Sequence, residues 1–196
     1  MERKKMRLFI LFLIVFASNS AFAHTGAGID TGFESGFWHP ILGWDHVVAM
    51  VAVGLWGAFL GAPAIWILPI VFPLVMAVGG AFGIAGVPIA FVEQGIALSG
   101  VVLGLLIMLA FKAPNTVAAV IVGSFAIFHG HAHGAELPEA FGAYGYSVGF
   151  VIGTGLLHAF GIGLGFLTHL RTGEKMVRVL GGLISLVGAA FLFGLA

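Results

Sequence analysis

Long apolar runs separated by short connections dominate the pattern of this chain. From residue 42 to the end of the sequence, six hydrophobic segments follow one another. Each approaches or exceeds the roughly 20 residues that an α-helix needs to cross the hydrocarbon core of a membrane. The segments cover residues 42–60, 65–86, 89–111, 115–133, 141–170 and 177–196. The pattern predicts an all-α membrane protein, a compact bundle of about six transmembrane helices with antiparallel neighbours.

The N-terminus has the pattern of a secretory signal peptide. Basic residues precede an apolar stretch at residues 8–17, and residues 21–23 (Ala-Phe-Ala) fit the small-x-small cleavage rule. The alternative is an uncleaved first membrane helix, but an apolar stretch of this length is too short to span a bilayer. The sequence therefore predicts a signal peptide at residues 1–23 and a single six-helix transmembrane domain at residues 24–196.

The segment before the first predicted helix, residues 24–38, is polar and rich in glycine, and it is predicted to be a periplasmic loop. Cleavage after Ala23 would make His24 the new N-terminus. The free amine and the imidazole of His24 could then chelate a metal ion together. The alternative is that His24 is simply the residue that follows the cut.

The composition indicates a membrane protein and excludes several classes of function. The chain is 60% hydrophobic and 8% charged, with a mean hydropathy of +1.14, whereas a soluble domain carries about 25% charged residues. It has no cysteine, which excludes disulfides and thiolate metal ligands. The sequence has no basic stretch suited to nucleic acid and no glycine-rich phosphate loop, so ATP hydrolysis is not expected. We predict a protein of the lipid bilayer that is not an enzyme and has no permanently bound cofactor.

Small residues repeat at four-residue spacing, which lets helix backbones approach closely in a membrane. The repeats fall at residues 79 and 83, 100 and 104, 145, 149 and 153, and 161 and 165. Most of these glycines are therefore expected to serve helix packing.

The distribution of charge predicts the orientation. A cleaved signal peptide places the mature N-terminus in the periplasm, and six crossings alternate from there. All basic residues of the mature chain then fall on the cytoplasmic side, as the positive-inside rule requires. These residues are Lys112, Arg171, Lys175 and Arg178. The expected location is the inner (cytoplasmic) membrane of a bacterium.

Side chains that bind metals stand at the outer end of the first predicted helix. His39, Asp45 and His46 lie within eight residues, where membrane insertion is costly and polar groups indicate a functional site. His39 and His46 are seven residues apart, so they share one helix face if a single helix runs through both. Met50 follows His46 by four residues and could add a soft sulfur ligand, although packing is its favoured role.

Two further helices are predicted to bring ligands to the same outer level. Glu93 and its neighbour Gln94 stand near the start of the third helix. The Glu93 carboxylate is either paired or metal-bound, or it stays solvated at the interface. His129 and His133 are four residues apart near the end of the fourth helix, so both imidazoles can share one ion.

Three other polar residues are additional candidates. His131 points away from its two histidine neighbours if the helix persists, and it could capture an ion. Glu136 follows the histidines at residues 129–133. The alternative to a metal site at these residues is a histidine-rich tail that is simply solvated. His158 stands in the middle of the fifth helix. It is either a transit ligand or proton relay, or it makes a structural hydrogen bond.

The residue types restrict the metal without selecting one. Imidazole and carboxylate without thiolate suit Ni²⁺, Co²⁺, Zn²⁺ or Cu²⁺ better than Cu⁺. A divalent ion that enters a negative-inside cell gains about 4.6 kcal/mol per 100 mV. Uptake through such a site therefore needs no ATP.

Two motifs resemble those of the HupE/UreJ family of membrane proteins. One is His-x5-Asp-His at residues 39–46, and the other is Phe-His-Gly-x-Ala-His-Gly-x-Glu at residues 128–136. The similarity covers essentially the whole chain. His131 occupies a variable position of the second motif, so no family role is transferred to it. The resemblance implies ATP-independent uptake of Ni²⁺, or of Co²⁺, from periplasm to cytoplasm, in the service of hydrogenase or urease maturation.

Three other functions share some of these features. A periplasm-facing metal sensor or chaperone that does not transport would use the same ligands and would differ only in flux. An intramembrane serine protease would use Ser99 and His158. If the protein is a metal transporter and not a protease, Ser99→Ala is expected to leave metal uptake intact. A diiron or haem oxidoreductase would need several histidine elements like that at residues 129–133.

Overall fold

The computed structural model describes residues 32–137 and 142–196, and these residues form α-helices joined by short turns. No β-strand occurs in either range. The all-α prediction is confirmed, while the predicted signal peptide and His24 lie outside the described residues. The helices are α1 Gly32–Leu42, α2 Trp44–Leu60, α3 Ala64–Ile84, α4 Val92–Met108, α5 Asn115–Ala135, α6 Ala143–Gly165, followed by a 3₁₀ turn at Phe166–His169, and α7 Gly173–Leu192.

The predicted loop at residues 24–38 is wrong for residues 32–38, which form most of α1. Tertiary packing explains the difference, because α1 lies against α6 through small residues. A Cβ added to Gly36 would collide with the backbone carbonyl of Tyr146. Contact with α6, more than intrinsic helix propensity, therefore stabilises this glycine-rich helix.

Several helices of the described chain have the length and composition of membrane spans. α3, α5, α7 and the unit formed by α6 with its 3₁₀ turn pass this test alone, and α1 with α2 passes it as one span bent by 78°. α4 is also apolar but shorter, since it covers Val92–Met108. The chain is therefore a multi-pass helical membrane protein.

The centre of the bundle is α2. Every residue from 48 to 57 is buried, which leaves this part of α2 no face toward lipid or solvent. Its largest side chain, Trp56, is fully buried and its indole N–H donates to the Phe111 carbonyl across 3.2 Å. A helix that is apolar all round is expected at such a position. The polar residues at the start of α2 are therefore carried directly into the interior.

The predicted glycine repeats do bring helices close together. A Cβ added to Gly79 or Gly83 of α3 would collide with backbone atoms of α5. The same holds for Gly161 of α6 against the Val51 carbonyl of α2. Close backbone approach of this kind is the main source of helix association where lipid is as apolar as the side chains.

The bundle has two chemically different ends. Lys112 follows α4, and Arg178 at the start of α7 donates its Nε–H to the Met108 carbonyl across 2.8 Å. We refer to this as the basic end. The opposite end carries His39, His46 and His133, and we refer to it as the histidine end.

Candidate metal centre

A sharp bend brings His39 and His46 together. The notion of one helix through both residues is wrong, because α1 ends at Leu42 and α2 leaves Gly43 at an angle of 78°. Gly43 has an extended backbone, with φ −84° and ψ 109°. The two imidazole ring centres are 5.9 Å apart. The chain turn, and not helical periodicity, therefore places these two side chains at one site.

Asp45 orients His46. Its Oδ1 accepts the backbone N–H of His46 and also lies 2.9 Å from His46 Nδ1. Because a carboxylate only accepts, the neutral imidazole carries its proton on Nδ1. Nε2 of His46 is buried and meets no hydrogen-bond partner among the described residues. A carboxylate that fixes the tautomer of a metal-binding histidine is a common arrangement, so Asp45 can act through His46.

Ser99 orients His129 in the same way. Ser99 Oγ donates its single proton to the Ile96 carbonyl across 2.6 Å. The same oxygen lies 3.0 Å from His129 Nε2, so His129 must donate at that nitrogen. Its other nitrogen, Nδ1, is buried without a hydrogen-bond partner in the part of the chain that the structure describes. The free lone pair of His129 is therefore on Nδ1.

His133 links the parts of the cluster. Its ring centre lies 4.8 Å from that of His39 and 4.7 Å from that of His46. The rings of His46 and His129 are 5.1 Å apart. Neither nitrogen of His133 has a hydrogen-bond partner within residues 32–137 and 142–196. Four imidazoles from α1, α2 and α5 thus form one continuous group, which we call the histidine cluster (His39, His46, His129 and His133).

A carboxylate completes the outermost part of the histidine cluster. One ligand atom each from His39, His133 and Glu136 lie within 4.8 Å of one another, a spacing compatible with a shared metal ion. Glu136 is exposed and His133 is buried. An ion could therefore meet Glu136 from solvent before it contacts the buried imidazoles.

Glu93 and Gln94 do not enter the histidine cluster. Both side chains are exposed, and they line a cavity of about 110 Å³ together with Asp45. Glu93 is thus near the carboxylate that orients His46. A metal-ligand role for Glu93 and Gln94 stays a prediction; both lie in the first turn of α4, which begins at Val92.

The remaining candidates have other surroundings. His131 Nε2 donates to the Val87 carbonyl across 2.8 Å, which holds the connection between α3 and α4 against α5. It points away from the histidine cluster, as its spacing predicted. Met50 is fully buried in the hydrophobic core. His158 is buried deeper in α6 and contacts the ring of Phe72.

Aromatic side chains enclose the imidazoles. The ring centre of Phe150 lies 4.2 Å from that of His133, and Tyr146 lies 5.9 Å from His39. Phe72 packs against His129, with 5.4 Å between ring centres. Sequence reasoning missed these residues and the role of Ser99. The available signal was the four-residue spacing of Tyr146 and Phe150 on the face of α6 that also carries His158.

Replacing Ser99 by Ala should lower the affinity of the protein for Ni²⁺ by about tenfold, a loss typical of residues that orient metal ligands. The structure thus revises the expectation that this variant leaves metal uptake intact. Ser124→Ala is the matched control, because Ser124 Oγ donates to the Val120 carbonyl on an exposed face. Calorimetric titration with Ni²⁺ checks the prediction, and an unchanged Kd for Ser99→Ala would contradict this role of Ser99.

The fold and the site together define a class: a helical membrane protein with a nitrogen-rich, buried cluster suited to a divalent transition metal. Comparison with known proteins gives its family. The family model described as HupE / UreJ protein matches residues 11–191. The chain is 48% identical over 174 residues to Protein HupE of Rhizobium leguminosarum bv. viciae, which covers 89% of this chain and 91% of that relative. No solved structure matches the chain.

The chain therefore belongs to the HupE/UreJ family. The family is associated with nickel and cobalt uptake and consists of transporter-type proteins. Both motifs noted in the sequence contain residues of the histidine cluster. Residues 39–46 include the bend between α1 and α2, and residues 128–136 include the end of α5.

Proposed function

We propose that the protein carries a divalent transition metal ion, Ni²⁺ or Co²⁺, from the periplasm to the cytoplasm without ATP hydrolysis. The observation that carries this proposal is the convergence of four imidazoles from three helices at one buried site. His46 and His129 each keep a buried nitrogen lone pair whose orientation is fixed by Asp45 and Ser99. Family membership supports Ni²⁺ or Co²⁺ over Zn²⁺ or Cu²⁺, which the same ligands would also accept.

We infer a topology of six crossings in the inner membrane, with α1 and α2 as one bent span. α4 has 17 residues, which is at the lower limit of about 17–25 for a spanning helix. The basic end then lies in the cytoplasm and the histidine end in the periplasm, in agreement with the positive-inside rule. A single domain at residues 24–196, preceded by a cleaved signal peptide, belongs to the same proposal.

Within this function the residues take distinct roles. Glu136, His39 and His133 receive the ion from the periplasm, and His46 and His129 take it deeper. Asp45 positions His46, while the carboxylate of Glu93 attracts cations toward the cavity that it shares with Gln94 and Asp45. The nickel that reaches the cytoplasm serves hydrogenase or urease maturation, as the family link suggests.

Uptake of radiolabelled Ni²⁺ by proteoliposomes tests the proposal. Label should become enclosed in vesicles that contain the protein and not in empty vesicles. Metal that binds the protein without entering the vesicle would instead favour a periplasm-facing sensor or chaperone. That alternative uses the same site, so only flux separates the two.

The arrangement at Ser99 argues against an intramembrane protease. A nucleophilic serine must give its proton to a base, and Ser99 instead donates to the Ile96 carbonyl. The nearby imidazole of His129 acts as the donor toward Ser99 Oγ. The pair is therefore arranged to orient His129 and not to activate the hydroxyl.

A further inference from the structure

A row of buried residues continues along α6 beneath the histidine cluster. Phe150, Thr154 and His158 follow at four-residue spacing, so they share one broad face of the helix. Phe150 packs on His133 at the top of this row, and His158 lies 5.5 Å from the ring of Phe72 at its lower end. Eight residues of α-helix advance by about 12 Å. The row therefore leads from the histidine cluster toward the basic end.

The proline pattern of α3 leaves a backbone carbonyl free beside His158. The Pro69 carbonyl would normally accept the N–H of residue 73, but that residue is Pro73 and has no N–H. The imidazole of His158 lies beside this free carbonyl. Nε2 of His158 is buried and has no hydrogen-bond partner in the described structure. A neutral imidazole that turns its Nδ1–H toward the Pro69 carbonyl keeps its lone pair on Nε2.

Thr154 differs from other hydroxyl residues of these helices. Ser124 and Ser147 each donate to the carbonyl four residues earlier, across 2.8 Å. Oγ1 of Thr154 is buried and makes no hydrogen bond to any residue that the structure describes. A buried hydroxyl without a partner costs free energy, and so does a buried imidazole nitrogen. A purely structural role leaves these two atoms, Thr154 Oγ1 and His158 Nε2, unexplained.

We propose that Thr154 Oγ1 and His158 Nε2 form an inner binding position for a divalent transition metal ion on its way from the histidine cluster to the basic end. This inference rests on the proposed transport function. One imidazole nitrogen and one hydroxyl oxygen suit an ion that keeps part of its water shell. A position with so few protein ligands binds weakly, as a transit position must if the ion is to leave again.

His158→Asn tests the ligand role of His158 separately from its structural role. The side-chain amide of Asn reaches the position of Nδ1 and can still donate to the Pro69 carbonyl, but it provides nothing at the position of Nε2. We expect the initial rate of Ni²⁺ uptake by proteoliposomes to fall by about tenfold or more. Equilibrium Ni²⁺ binding to the purified variant should stay at the wild-type level, because the histidine cluster is intact.

Thr154 has a matched pair of variants. Thr154→Val keeps the shape of the side chain and removes the hydroxyl, and it should also slow uptake by about tenfold without loss of equilibrium binding. Thr154→Ser restores the hydroxyl and should recover most of the wild-type rate. This pair leaves His158 and its contact with the Pro69 carbonyl unchanged, so it remains informative if His158→Asn does not fold.

The outcomes separate the two proposals. Wild-type uptake rates in either His158→Asn or Thr154→Val would overturn the inner position while leaving the transport function in place. A loss of equilibrium Ni²⁺ binding in Thr154→Val would also overturn it, because the residue would then support the histidine cluster itself. Absence of uptake by the wild-type protein would refute the proposed function and, with it, this inference.

Discussion

Nickel uptake should fall by about a hundredfold when His133 is replaced by Ala, since replacing even a residue that only orients a metal ligand costs up to about that much. His133 is the side chain that connects the outer and inner parts of the histidine cluster, with ring centres 4.8 Å from His39 and 4.7 Å from His46. Its removal breaks up the group of ligand atoms that it forms with His39 and Glu136, and it takes away the imidazole nearest to His46. Initial rates of radiolabelled Ni²⁺ uptake into proteoliposomes measure the effect.

His131→Ala is the control for this loss, since it removes an imidazole two residues away in the same helix. His131 donates to the Val87 carbonyl and lies outside the histidine cluster, so its replacement should preserve most of the uptake. His46→Ala should behave like His133→Ala. Equal losses in His131→Ala and His133→Ala would refute the geometry assigned to the site.

Gly130→Ala should greatly reduce the amount of folded protein. A Cβ at this position would collide with the carbonyl of Met76, where α5 crosses α3. Overpacking of this kind costs about 1–3 kcal/mol, and it also displaces the neighbouring His129. The yield of monodisperse protein in detergent and its thermal midpoint measure the effect.

Gly163→Ala provides the comparison. A Cβ added there meets no atom of the described chain within 4 Å. The alanine should leave the yield and the thermal midpoint at the wild-type level. If Gly130→Ala and Gly163→Ala have the same yield and thermal midpoint, Gly130 is not needed for close packing between α3 and α5.

Much of the scaffold could be predicted because hydrophobic length and glycine spacing are local signals. The predicted segment 115–133 agrees with α5 within two residues, and the repeat at Gly79 and Gly83 does lie against α5. His129 and His133 share one face of α5 with each other, as their four-residue spacing indicates. Local sequence patterns therefore predict where the helices lie and which side chains of one helix share a face.

What the sequence did not reveal depends on contacts between distant segments. Helix α1 is stabilised by α6, so the composition of residues 32–38 suggested a loop. Ser99 belongs to the site because α4 passes beside His129, which no local pattern shows. By contrast, Pro69 and Pro73 were a readable signal: prolines four residues apart leave a carbonyl without its helical partner, and His158 lies beside it.

Accumulation of labelled nickel in proteoliposomes at a defined inside-negative potential tests the central claim most directly. The claim is that the protein carries a divalent ion inward through the histidine cluster without ATP. A divalent ion gains about 4.6 kcal/mol per 100 mV, enough for about a thousandfold accumulation. Enclosed Ni²⁺ should rise steeply with the imposed potential in the absence of ATP. Enclosed Ni²⁺ that never exceeds the external concentration, while metal still binds to the protein, would contradict it.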